Sequence, residues 1–182
     1  NKCAFKQSEF KPQNIEYFLN FLEKEKYDFL IPIGAKSVSI VNRFRREISE
    51  KVKINLAPKK SIQYCLSKNK LLLIAKELEI PTPRMYEKNE LEKYRHQILN
   101  NKKQIVIKPS SELSNKKVIY TSNFKEINKY LKSEKEFLFQ EYINGYGVGF
   151  FAIYDNGKLI HYFMHKRIRE NPPSGGSSVC AE

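Results

Sequence analysis

The stretch Gln104-Ile105-Val106-Ile107-Lys108-Pro109 is a short apolar run that ends on a lysine and then a proline. Three β-branched residues in a row suit a buried strand, and the proline ends its ladder. A lysine that closes such a strand is partly stripped of water, and an anionic oxygen is the partner that makes this tolerable. Downstream, Pro109 to Lys116 reads as a loop, Lys117 to Thr121 as a strand, Phe124 to Ser133 as a helix and Phe137 to Glu141 as a strand. Two further strands follow, Gly147 to Tyr154 and Lys158 to His165, joined by Asp155-Asn156-Gly157. An Asn-Gly pair between alternating segments is a strong short-range hairpin signal. Residues 102–165 therefore predict a small α+β lobe with an antiparallel sheet.

Upstream the texture is different. Gln13 to Lys26 carries Ile15, Phe18, Leu19 and Leu22 at helical spacing. Tyr27 to Gly34 is an apolar run closed by glycine and reads as a buried parallel strand. Ala35 to Ser49 predicts a helix and Val52 to Leu56 a brief strand. Helix, strand, helix, strand is the order of one flank of a doubly wound α/β sheet. Such a domain ordinarily opens on a strand, so a first strand is expected to precede this one. Lys68 to Glu79 is a further helix, left through Ile80-Pro81-Thr82-Pro83, and Glu87 to Asn100 is helical and charged.

Composition narrows the function classes. The 182 residues are 41% hydrophobic and 13% aromatic, enough for a core. No apolar run approaches the ~20 residues of a membrane-spanning helix. Cys3, Cys65 and Cys180 lie far apart, which argues against a disulfide framework or zinc site and for reduced thiols of a cytoplasmic protein. The net charge of +13 raises nucleic-acid binding as a question. The lysines are spread evenly beside abundant Asn and Ile, residues of AT-rich codons, and no aromatics interleave with them as stacking platforms. His161 and His165 share a hairpin strand without a third ligand, which is a weak metal pattern.

Four stretches carry the chemistry: Ser67-Lys68-Asn69-Lys70, Val106 to Pro109, Phe139-Gln140-Glu141-Tyr142-Ile143-Asn144-Gly145, and Arg167-Ile168-Arg169-Glu170-Asn171-Pro172-Pro173-Ser174-Gly175-Gly176-Ser177. A strand end with free backbone groups beside apolar residues suits an adenine ring. Arg167 and Arg169, two apart, would face the same way on a regular strand and clamp one anion. The Gly/Ser tract from Ser174 lets backbone approach an anion closely.

In this order the four stretches resemble the ATP-grasp superfamily, and more narrowly the short stand-alone proteins similar to half of the carbamoyl-phosphate synthase large subunit. The likeness implies part of a pre-ATP-grasp doubly wound parallel sheet (residues 1–66), linking helices (67–101), a small ATP-grasp lobe (102–165) and the start of a large lobe (166–182). It implies an ATP-dependent ligase joining a carboxylate to an amine through an acyl phosphate, and leaves a homo-oligomer open. Lys70 and Lys108 would reach phosphates. Gln140 and Glu141 would sit beside adenine, with the Ile143 backbone N–H on the ring edge. Arg167 and Arg169 would act catalytically on the transferring phosphoryl group, with Ser174, Gly175 and Gly176 near it. Mg²⁺ ligands are expected beyond Glu182.

Two departures stand out. The loop expected to cover phosphate, Ser110-Ser111-Glu112-Leu113-Ser114-Asn115-Lys116-Lys117, has no glycine, and the acidic residue expected on the ribose is replaced by Gly147. They motivate an alternative reading as a degenerate, non-catalytic nucleotide-binding or assembly module.

Overall fold

The computed structural model describes residues 12–93, 95–100, 103–133, 137–171, 173 and 176–182. The chain divides into two compact units, one of residues up to Thr82 plus Ser110–Asn115, the other of Pro83–Pro109 plus Lys116–Glu182.

In the first unit, α1 (Ile15–Glu25) stops at Lys26, which takes a left-handed conformation and donates its N–H to Leu22 O. β1 (Phe29–Leu30) leads to α2 (Ala35–Arg43), α3 (Arg45–Ser49) and β2 (Lys53–Ile54), which pairs parallel with β1. Phe18, Leu22, Val41, Ile48 and Val52 form the core, with the inner residues of both strands packed against it. The helix expected across Ala35–Ser49 is broken at Phe44. The cause is Arg45, whose guanidinium donates to Leu56 O, Ala57 O and Asn42 Oδ1 and so ties the break to the turn after β2. The strand expected to be buried is not. Only two residues pair, and Phe29, Ile31 and Ile33 are exposed, because no further strand or helix covers that side among the described residues. α4 (Lys59–Cys65) was not foreseen from the sequence. α5 (Lys68–Glu77) is capped by Ser67, whose hydroxyl accepts from Lys70 N–H.

In the second unit, α6 (Lys88–Lys93) and α7 (Arg95–Asn100) precede β3 (Ile105–Pro109), β4 (Ile119–Thr121), α8 (Phe124–Leu131) and β5 (Phe137–Glu141). β3 lies between β4 and β5, antiparallel to both. Strand alternation sends Ile105 and Ile107 to the side where Phe124 and Ile127 of α8, Leu91 and Phe139 complete a core. Both isoleucines are fully buried, each stabilising by about 1.5–3 kcal/mol. Arg84–Tyr86 adds a short fourth segment on the free edge of β5: Tyr86 N–H donates to Phe139 O and Glu141 N–H to Arg84 O.

A second antiparallel sheet contains β6 (Val148–Asp155), β7 (Lys158–Asn171) and β8 (Ser177–Ala181) in that order. The β6–β7 turn uses Asn156 and Gly157, both at positive φ as a two-residue hairpin requires. β7 runs past the expected end at His165 to Asn171, so residues 166–171 continue the hairpin strand rather than open a new element.

Candidate functional site

Register places several of the sequence-selected residues on one face. Val106 pairs with Gln140 on one side and Tyr120 on the other, while Lys108 pairs with Leu138. Since Ile105, Ile107 and Phe139 face the α8 core, alternation turns Val106, Lys108, Leu138, Gln140 and Tyr120 to the opposite face. Lys108 and Gln140 are thus diagonal neighbours, with Cα atoms about 7–8 Å apart in such ladders. Gln140 is buried and Lys108 half-buried.

Glu141 is committed to structure at both ends. Its N–H donates to Arg84 O, and its carboxylate accepts from Arg84 N–H at 2.7 Å. The Arg84 guanidinium in turn meets Glu90 at 3.2 Å. The chain then leaves the sheet through Tyr142 and Ile143, both exposed, and Tyr142 packs edge-on against Tyr120 with centroids 6.0 Å apart. Burial first, then the Glu170 carboxylate and Tyr142, push the Tyr120 hydroxyl above its ordinary range. That hydroxyl therefore stays neutral at physiological pH.

Glu170 lies at the irregular stretch of β7. Register shifts flank Arg169, breaking the two-residue alternation on which an Arg167–Arg169 clamp depends. Arg167 instead meets Glu170, with Nη1 3.1 Å from Oε1, and Nη1 also donates to Gly176 O at 3.4 Å. Its backbone N–H donates to Gly147 O. Arg169 is exposed. Gly147 allows the close pass: a Cβ there would lie 2.8 Å from Arg167 Cδ and 3.1 Å from Glu170 Oε1. Ser174 and Gly175 lie outside the described residues, and Gly176 is half-buried. The role of Glu170 was not read from the sequence, because the bulge that turns it toward Arg167 leaves no periodic signature.

In the first unit, Lys70 is exposed and lines a shallow groove of about 340 Å³ with Lys60, Gln63, Tyr64, Leu73, Ile74 and Glu77. The glycine-free loop belongs to this unit and is docked on the start of α5. Lys68 N–H donates to Ser110 O, Glu112 N–H to Leu66 O, and Lys68 Nζ lies 2.9 Å from Glu112 Oε1. Among the described residues no group of three or more His, Cys, Asp or Glu side chains is arranged to hold a metal ion. None of the described helices is long and apolar enough to cross a membrane. Cys65 is exposed and Cys180 half-buried, both as free thiols; Cys3 lies outside the described residues.

No family model matches the chain, and no curated protein matches it. Among solved structures it is similar to carboxyaminoimidazole ribonucleotide synthase from Aspergillus clavatus complexed with ATP. The TM-score is 0.56 and the identity 10%, over 88% of this chain and 41% of that one. The chain thus spans less than half the length of the structure it matches. At that identity the likeness bears on architecture alone, a mixed α/β fold with antiparallel sheets.

Proposed function

We propose that this chain is the ATP-binding portion of an ATP-dependent ligase that activates a carboxylate as an acyl phosphate and joins it to an amine. The observation that carries the reading is the shared face of β3 and β5. A lysine and a buried glutamine stand there as diagonal neighbours on an ATP-grasp-like fold, at the strand end where the sequence predicts an adenine slot. The similar solved structure holds ATP. In this reading Lys108 binds phosphate oxygens, and charge-assisted bonds of that kind are the strong ones. Gln140 meets adenine by its side chain and the Ile143 N–H meets the ring edge. Glu141 takes part through its backbone carbonyl, since its carboxylate is engaged by Arg84 N–H. Arg169, exposed on β7, is the arginine available to the transferring phosphoryl group, with Ser174, Gly175 and Gly176 near the same group. Mg²⁺, when bound, would neutralise the triphosphate. The narrower likeness to carbamoyl-phosphate synthase halves belongs to this proposal as well.

Thermal unfolding with and without Mg-ATP tests the reading. ATP should raise Tm, as any ligand that binds only the native state must. Lys108→Glu should abolish that rise. An unaltered Tm for the parent chain at millimolar Mg-ATP would sink the assignment.

A second reading is favoured by one observation. The glycine-free loop is held on α5 by the Lys68–Glu112 ion pair and two backbone hydrogen bonds, which restrains it from folding over a phosphate. A nucleotide-binding module without turnover fits that arrangement. ATP hydrolysis coupled to any carboxylate and amine would remove it.

A further inference from the structure

α4 and α5 follow one another with only Leu66 and Ser67 between them, and neither adds a residue to the hydrophobic clusters of the fold. No residue of either helix is buried. α5 nevertheless carries Leu71, Leu72, Leu73 and Ile74, and Leu73 is 62% exposed. A ten-residue helix is marginal by itself and is ordinarily held by packing its apolar stripe. The groove of about 340 Å³ runs along that stripe. Its α5 lining, Lys70, Leu73, Ile74 and Glu77, has the i, i+3, i+4, i+7 spacing of one helix face, and Lys60 and Tyr64 supply an i, i+4 pair from α4.

Shape and charge narrow the occupant. A seam between two consecutive helices, lined by Leu73, Ile74 and the Tyr64 ring, accepts the apolar edge of a third helix with the same spacing. Leu78, four residues beyond Ile74 and 64% exposed, carries the stripe one turn past the groove, which suits an elongated ligand rather than a compact one. Lys60 and Lys70 both line the seam, and neither makes an ion pair among the described residues. Glu77 is the one carboxylate of the lining, so the seam is net positive, like the chain at +13. A basic partner or a second copy of the chain would meet like charge there. Carboxylates flanking an apolar edge would instead meet two ammonium groups that have no carboxylate of their own.

We infer that the α4–α5 seam is the docking surface for an acidic amphipathic helix of a partner protein. Its apolar side chains lie on Leu73 and Ile74, and its carboxylates meet Lys60 and Lys70. The inference is independent of the nucleotide reading, which rests on β3 and β5 of the other unit.

NMR titration of the 182-residue chain with two synthetic helical peptides tests it. Both carry leucines at i, i+3, i+4 and i+7; one has glutamates on the flanks, the other lysines. The glutamate peptide should shift amide signals of α4 and α5, and its affinity should fall as salt is raised. Lys60→Glu combined with Lys70→Glu should weaken it by about tenfold, since two ion pairs become two repulsions, and should reverse the preference between the peptides. Both lysines are exposed, so the double variant should keep the parent's urea midpoint. Equal binding of the two peptides by the parent chain overturns the inference, because contact would then be apolar alone. Shifts confined to residues outside α4 and α5 overturn it, and so does the absence of any shift at millimolar glutamate peptide.

Discussion

The two antiparallel sheets of the second unit have the same ladder geometry and opposite surroundings. In β4–β3–β5 one face is sealed by α8 and Leu91, and Ile105 and Ile107 lose all contact with solvent. In β6–β7–β8, residues on both faces stay open: Phe150, Tyr162 and Met164 on one, Phe151, Phe163 and Ile153 on the other, each more than half exposed. Strands apolar on both sides are built for cover on both sides. Here the aromatic rings cover one another instead, Phe150 stacking on Tyr162 at 5.6 Å and Phe151 on His165 at 5.2 Å. Both sheets are joined by backbone hydrogen bonds, but only β4–β3–β5 is also anchored by burial.

The sharpest way to break this comparison is to truncate one residue in each sheet. Ile107→Ala opens a cavity between β3 and α8 and should cost about 2–5 kcal/mol in urea unfolding. Phe163→Ala removes a larger side chain, yet one that is 62% exposed, and should cost within about 1 kcal/mol. Equal losses would mean that the second sheet is buried in solution.

A middle-sized effect probes the helix that seals the first sheet. Asn123 Oδ1 accepts from Lys125 N–H at 2.9 Å and starts α8. Asn123→Ala should lower stability by about 1 kcal/mol, read as a shift in urea midpoint without a change in slope. The same loss should appear in amide exchange of β3, because Phe124 and Ile127 hold its inner face.

What the sequence revealed of these two regions follows from the range of the forces involved. β3, α8, β5 and the Asn156–Gly157 turn were legible because each is set by local pattern: a β-branched run in β3, short periodic segments for α8 and β5, and an Asn-Gly pair at the turn. Lys108 and Gln140 were selected from their strands, and the antiparallel register then brings them to one face. The break at Phe44 was hidden because it depends on Arg45 reaching Leu56 and Ala57. The bulge at Arg169 was hidden for the same reason, since register shifts arise between strands and not within one. The Arg167–Glu170 pair, the edge segment Arg84–Tyr86 and the docking of Glu112 on Lys68 all join residues by contacts that no single-segment periodicity encodes.

The smallest expected effect lies at the edge segment beside β5, and its value is in its pH dependence. The Glu87 N–H, followed by the Arg84 guanidinium, holds the Glu90 carboxyl below the ordinary carboxylate range. A group with a lowered folded pKa contributes stability above its unfolded value and loses it as pH falls through the folded one. Glu90→Gln should therefore be slightly less stable than the parent chain near neutral pH, and the gap should close in acid once the carboxylate is protonated in both states. Because Arg84 also supplies the N–H that engages Glu141, the variant should loosen the Arg84–Tyr86 edge while leaving β3 protected in amide exchange. A gap that widened toward low pH would reverse the sign and show that Glu90 is held as the neutral acid.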